Sequence, residues 1–264
     1  MRGQFCLQNT CKNRMNIGFL ITARMKSTRL PKKLTLEVNG RQIIRWMIDR
    51  LKLSSSINKI IICTSVNQQD DILEDIANEE NINIFRGSED DVIQRLYEAS
   101  QYYCLDYSLN VTADCPLVAF EYFERMIDEY KKTKADLIRV LDLPIGFFSY
   151  GLKIEALKKV CKIKKATDTE VWGKYFTDTG FFNVVDLAVP EDLKRPNYRL
   201  TLDYPEDYEF FKKVFNHFGE STYKKTIYNI INFLDDNPDI VNINEHCQSL
   251  YKDRFDKQNK IQLS

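Results

Sequence analysis

Glycine is scarce in this 264-residue sequence, nine in all, and neither G-x-G-x-x-G nor G-x-x-x-x-G-K-[ST] occurs. Dinucleotide-binding and P-loop readings need those glycines so that backbone amides can approach phosphates, and both are disfavoured. Histidine is scarcer still. His217 and His246 fall late in the chain with no G-x-S-x-G elbow beside them, so a His-centred triad has no support. The seven cysteines are odd in number and never spaced C-x2-C, which argues against a disulfide framework or a structural zinc and suits a reducing, cytoplasmic compartment. The longest apolar runs, NIGFLI and KIIICT, fall far short of the ~20 residues that cross a bilayer, so no membrane partner is expected. Thirty-eight basic residues balance thirty-eight acidic ones, so no overall field draws the chain to nucleic acid, and any anion recognition must be local. Residues 1–15 lack a secretory h-region and read as a disordered leader or an upstream start before Met15.

What is present is a substantial core, 44% hydrophobic with 29% charged residues, and a regular rhythm. Apolar β-rich runs at 17–22, 59–65, 82–87 and 107–113 alternate with amphipathic helical patterns at about 41–52, 70–80, 89–103 and 120–132. In the first helix Ile43, Ile44, Met47, Ile48 and Leu51 share one face. The alternation predicts an α/β fold with a mostly parallel central sheet covered by helices on both faces. Further on, strands are expected at 135–140, FFNVVDL and YRLTLD, and helices near 153–162, 168–177, 205–217 and 222–235. With no Gly-, Pro- or Ser-rich linker, the chain reads as one domain over 16–251 with a lobe inserted around 141–190, then a polar tail at 252–264.

The loop after the first strand, TARMKSTRLPKK, crowds Arg24, Lys26, Arg29, Lys32 and Lys33 around Pro31. In open α/β sheets ligands settle beyond the carboxyl ends of strands. Arg24 and Arg29 offer guanidinium forks for phosphate oxygens, and Lys33 offers a point charge; on its own, a basic loop is as readily a solvated surface. Two acids also follow expected strands, Asp114 in LNVTADCPLV and Asp203 in YRLTLDYPED. Magnesium typically takes one or two carboxylates plus substrate phosphates, which such a pair can supply if the fold brings them together. Glu206 and Asp207 suit the first turn of a helix opened by Pro205.

The spelling of these segments resembles the bacterial cytidylyltransferases that activate acidic sugars, the spore-coat-polysaccharide type most closely and the CMP-Kdo and CMP-sialate synthetases more distantly. The pattern A-R-x-x-S-x-R-L-P-x-K maps onto Ala23, Arg24, Ser27, Arg29, Leu30, Pro31 and Lys33, with Lys32 where relatives often carry glycine. T-G-D-C-P maps onto 112–116 with Ala113 for the glycine, and R-L-T-L-D-T-P-E-D onto 199–207. R-G-S-x-x-D-V-x-x-R maps onto Arg86 to Arg95, and Pro144, Gly146, Glu155, Ala156 and Leu157 match a further stretch in which Phe148 and Tyr150 stand where relatives carry acids.

The resemblance implies a Rossmann-like nucleotide-diphospho-sugar transferase (GT-A-like) fold and a Mg2+-dependent transfer of CMP from CTP to an acidic 2-keto sugar. Arg24, Lys33, Asp114 and Asp203 would be catalytic, with Asp114 and Asp203 holding the metal. Thr22, Ala23, Arg24, Ser27, Arg29, Lys33, Arg86, Ser88 and Ala113 would bind the nucleotide, while Arg95, Tyr150, Glu170 and Lys174 would contact the acceptor. Ser88 is also expected to cap the helix over EDD, and Arg95 has Asp91 one turn away as a simpler partner. The Trp172 region suits an acceptor site, a core or a homodimer contact. A sugar phosphate or phosphonate acceptor giving a CDP-linked product stays open, as does a non-catalytic nucleotide binder. A glycosyltransferase is weakened by the absence of Asp-x-Asp at Asp114.

Overall fold

The computed structural model describes residues 15–258, 261 and 263; the expected leader lies outside them except for Met15. Nine strands are described: β1 (Ile17–Thr22), β2 (Glu37–Val38), β3 (Arg41–Gln42), β4 (Lys59–Ser65), β5 (Asn83–Gly87), β6 (Tyr107–Thr112), β7 (Leu137–Arg139), β8 (Tyr150–Lys153) and β9 (Val184–Asp186). The helices are α1 (Ile43–Leu51), α2 (Asp71–Glu79), α3 (Val92–Tyr102), α4 (Phe123–Thr133), α5 (Ile154–Ile163), α6 (Gly173–Thr177), α7 (Pro205–Phe218), α8 (Ile227–Asp235), α9 (Pro238–Val241) and α10 (Cys247–Gln258). None is long and apolar enough to cross a membrane.

Seven strands form one sheet in the order β5-β4-β1-β6-β8-β7-β9, and β2 pairs with β3 separately. Every pairing in the large sheet is parallel except the two made by β8. The mostly parallel sheet expected from the alternation is therefore present. Side chains alternate across it as the pleat requires. Phe19, Ile21 and Ile62 join a core with α1, α4, α7 and α8, whereas Leu20, Ile61 and Cys63 face a second core built on α3, α5 and α6. Ile43, Ile44, Met47, Ile48 and Leu51 of α1 are all fully buried, each contributing on the order of 1.5–3 kcal/mol relative to exposure.

Three local expectations are corrected. YRLTLD is not a strand: it runs extended beside loops, with the Leu200 amide donating to the Ile145 carbonyl and the Leu202 amide to that of Asp114, both at 2.8 Å. Residues 168–172 are not helical, because Thr169 is laced to the start of α3. Its amide donates to the Asp90 carbonyl (3.1 Å) and its hydroxyl accepts from the Ile93 amide (3.0 Å). Ser88 does not cap α3. EDD forms a turn instead, in which Ser88 accepts from the Asp91 amide (3.1 Å) and Asp91 becomes the cap, accepting from the Gln94 amide (3.1 Å). Helix α10 runs through residue 252, where the polar tail was expected to begin.

Candidate active site

The registers Thr22↔Cys63 and Thr22↔Thr112 align the carboxyl ends of β1, β4 and β6 at one edge. From that edge β1 emits the basic loop and β6 emits Asp114. Asp203 arrives from the extended segment after Arg199, held against Asp114 by the bond from the Leu202 amide. That approach depends on Gly146, whose φ is +99°; a Cβ there would lie 2.0 Å from the Leu200 carbonyl oxygen. Only glycine lets the chain at 145–147 run this close to the segment that presents Asp203.

The two acids meet on one cation. Lys33 Nζ lies 2.7 Å from Asp114 Oδ2 and 2.9 Å from Asp203 Oδ1. Arg29 Nη2 donates to the same Asp203 oxygen at 2.7 Å, while its Nε has no hydrogen-bond acceptor among the described residues. From beneath, the fully buried Arg199 donates to Asp203 Oδ2 (3.1 Å) and to both oxygens of Asp207 (2.8 and 3.0 Å). Asp207 also accepts from the backbone amides of Asp203 (2.8 Å) and Tyr204 (2.9 Å). Asp207 is thus a helix-start acid that fixes the Asp203 backbone, and the Thr112 hydroxyl donates to Asp114 Oδ1 at 2.5 Å.

Burial would raise the Asp203 carboxyl, but Lys33, Arg29 and Arg199 outweigh it and hold it down at about 2. Burial would likewise lower the Lys33 ammonium, and the Asp114 and Asp203 carboxylates instead hold it above its ordinary value. Cys115, adjacent to Asp114, is pushed far up by burial and then by the Asp114 charge, so it remains a thiol rather than a nucleophile.

Arg29, Lys33, Asp114, Cys115 and Asp203 line a cavity of about 400 Å³ together with Arg24, Ser27, Tyr150, Glu170 and Trp172. Arg24 bridges its walls, 3.4 Å from Asp90 and 3.3 Å from Glu170. Tyr150 packs edge-on against Phe148 and Trp172, with ring centroids 5.9 and 5.0 Å away; burial pushes its hydroxyl up to about 12. Thr22, Ala23 and Ala113 line a smaller adjoining recess shared with Arg24, Lys33 and Asp114. Arg86, Ser88, Arg95 and Lys174 line neither space. Arg86 instead pairs with Asp71 (2.6 Å) and Glu74 (3.0 Å). Arg95 is fully buried and donates to the backbone carbonyls of Ser88 and Glu89 rather than pairing with Asp91.

Sequence reasoning missed Arg199, Thr112 and Tyr251, which hold or border the acid pair. Arg199 opens the very segment that matches R-L-T-L-D, and its position four residues before Asp203 was the available signal. Two departures from the family spelling also acquire a physical reading. Lys32 adopts φ +57°, a left-handed conformation that suits the glycine of relatives, whereas Ala113 has no positive φ and needs none.

The donor set fits a hard divalent cation. Two carboxylates converge on a single point, now taken by the Lys33 ammonium, and a hard cation held by only two carboxylates completes its sphere with phosphates and water.

Acids and cations gathered beyond the carboxyl ends of a parallel sheet are what a nucleotidyltransferase requires, and sequence comparison gives that class. The sequence model of the cytidylyltransferase family matches residues 19–232, and the chain belongs to that family. It is 33% identical over 236 residues to an uncharacterized protein of Methanocaldococcus jannaschii, covering 89% of this chain and 96% of that one. Against the spore coat polysaccharide biosynthesis protein SpsF of Bacillus subtilis it is 29% identical over 231 residues, covering 85% and 96%. A solved cytidylyltransferase from Leptospira borgpetersenii superposes with a TM-score of 0.79 at 29% identity, over 86% of this chain and 97% of that one.

Proposed function

We propose that this enzyme transfers CMP from CTP to an acidic 2-keto sugar of the nonulosonate or Kdo type, with release of pyrophosphate, in a cytoplasmic step of surface polysaccharide synthesis. The observation that carries this reading is the meeting of Asp114 and Asp203 at Lys33, inside a cavity that Arg24 and Arg29 also line. The name of the SpsF relative supports the polysaccharide setting.

Asp114 and Asp203 would hold Mg2+, which when bound offsets negative charge on the triphosphate. Arg29, through its spare Nε, and Lys33, once released from the carboxylates, would grip the β- and γ-phosphates. Arg24 would exchange its partners Asp90 and Glu170 for phosphate oxygens. The acceptor hydroxyl attacks the α-phosphorus in line, the bond to the bridging oxygen breaks, and pyrophosphate leaves; the hydroxyl proton passes to solvent. Tyr150 and Trp172 would shape the acceptor side.

The test is pyrophosphate release from each of CTP, UTP, ATP and GTP against 2-keto-3-deoxy sugar acids and against sugar phosphates. Release confined to CTP with a sugar acid is expected. Activity with sugar phosphates alone would move the product to a CDP-linked compound, a shift that Phe148 and Tyr150, standing where relatives carry acids, would accommodate. Activity with another nucleotide alone would refute the reading.

A further inference from the structure

The stretch that matches the family ends at residue 232, yet the chain continues into α10 and returns to the active cavity. The return is anchored. Just before the helix, Asn244 Nδ2 donates to the Arg199 carbonyl (3.0 Å) and to Asp207 Oδ1 (2.8 Å). Within it, Cys247, Gln248 and Tyr251 fall at helical spacing on one side. Cys247 is buried, Gln248 Oε1 accepts from Arg199 Nη1 at 3.3 Å, and the Tyr251 ring lies 5.4 Å from the Arg199 guanidinium. The helix is thus pinned to the arginine that holds Asp203.

Among the described residues of α10, Tyr251 lines the cavity, together with Tyr150 and Trp172 of other elements. Asp114 and Asp203 line the same cavity. Its ring therefore stands where the carboxylate pair gives way to the aromatic wall. Three aromatic side chains from separate parts of the chain, β8, the turn before α6 and α10, line this one cavity, and the rings of Tyr150 and Trp172 touch, centroids 5.0 Å apart. An aromatic face takes the apolar C–H face of a pyranose well, because it buries area without asking the sugar hydroxyls to give up water.

We propose that Tyr251, carried outside the stretch that defines the family, is a specificity-determining residue for the acceptor: its ring, with those of Tyr150 and Trp172, holds a sugar by its C–H face beside Asp114 and Asp203. This rests on the cytidylyl-transfer reading above.

The experiment is saturation-transfer NMR on the full chain with a CTP analogue carrying a methylene between the α- and β-phosphorus. N-acetylneuraminate and 3-deoxy-octulosonate serve as probes, and calorimetry follows the analogue in the same samples. Wild type is expected to transfer saturation to ring C–H protons of at least one sugar. Tyr251→Ala should weaken that sugar roughly tenfold, an effect of the size aromatic stacking supplies, while the analogue's affinity stays within about twofold. Tyr251→Phe should restore sugar binding, and Leu250→Ala, at an exposed position of the same helix, should leave it unchanged. Unaltered sugar binding in Tyr251→Ala would overturn the proposal, as would a parallel loss of analogue affinity, the mark of a merely structural role. Wild type that holds the analogue but neither sugar would overturn it too. Failure of wild type to bind the analogue is a different result and would sink the nucleotide reading itself.

Discussion

The Lys33 ammonium stands 2.9 Å from Asp203 and 2.7 Å from Asp114, two residues separated from it by 170 and 81 positions. A lysine in that place is a monovalent counter-ion for a pair of carboxylates that would otherwise repel. It also competes with a divalent ion for the same oxygens. Metal and nucleotide are therefore expected to enter together, the phosphates drawing Lys33 away as the ion takes its place.

Replacing Lys33 with Met removes the counter-ion and leaves two acids facing each other in a poorly solvated place. Loss of one partner from a buried ion pair costs roughly 3 kcal/mol. In chelator, Lys33→Met should melt well below wild type. Manganese alone should restore most of the loss, whereas it should barely move the wild-type melting curve. Equal manganese responses in the two proteins would contradict the competition.

At Lys32 the backbone is left-handed, φ +57°. A side chain there costs about 1 kcal/mol relative to glycine, which enters that region freely. Lys32→Gly should therefore stabilise the protein by about 0.5–1 kcal/mol in chemical denaturation. A loss of stability would show that the Lys32 side chain supplies something the backbone argument omits.

The reverse change at Gly146 should be severe. An alanine Cβ would press within 2.0 Å of the Leu200 carbonyl oxygen and take a positive φ besides. Gly146→Ala should cost about 2–4 kcal/mol and lower activity further by displacing Asp203. Urea unfolding and turnover measured side by side would check both effects.

Asp203 makes stability depend on acid in a definite direction. Its folded value of about 2 lies below the ordinary 3.8, so its contribution is fully present above pH 4 and drains away as pH falls toward 2. The contribution is on the order of 2 kcal/mol. The stability gap between wild type and Asp203→Asn should narrow across that window and be flat from pH 5 to 7. A gap that widens on acidification would reverse the sign and refute the pairing.

Much of the sheet was legible because β1 and β4 carry runs of large apolar residues and β6 alternates apolar with small polar ones, each bounded by helical patterns. Strand β8 was not: YGLK has four residues, one a glycine, and no periodic signal. The segment 198–203 shows the opposite failure. Its alternating apolar residues look like a strand, but the sheet offers it no edge, so its amides bond to loop carbonyls instead. At the site, Asp114, Asp203 and Lys33 were readable from family spelling, and the structure brings them together. Arg86 shared that spelling yet pairs with acids of a neighbouring helix, and Arg95 shared it yet is buried with its Nη1 donated to a turn. Tyr251 was unreadable in principle, since it lies 48 residues after Asp203 on a helix with little amphipathic pattern, and only the folded chain returns it to the cavity.

The central claim is that two distant acids share one metal ion with the triphosphate. Anomalous diffraction at the manganese edge, from crystals grown with CTP and Mn2+, tests it most directly. The account predicts a peak about 2.1 Å from one oxygen each of Asp114 and Asp203, with Lys33 turned onto the phosphates. A metal bound elsewhere, or Lys33 still lodged between the two carboxylates with CTP in place, would contradict it.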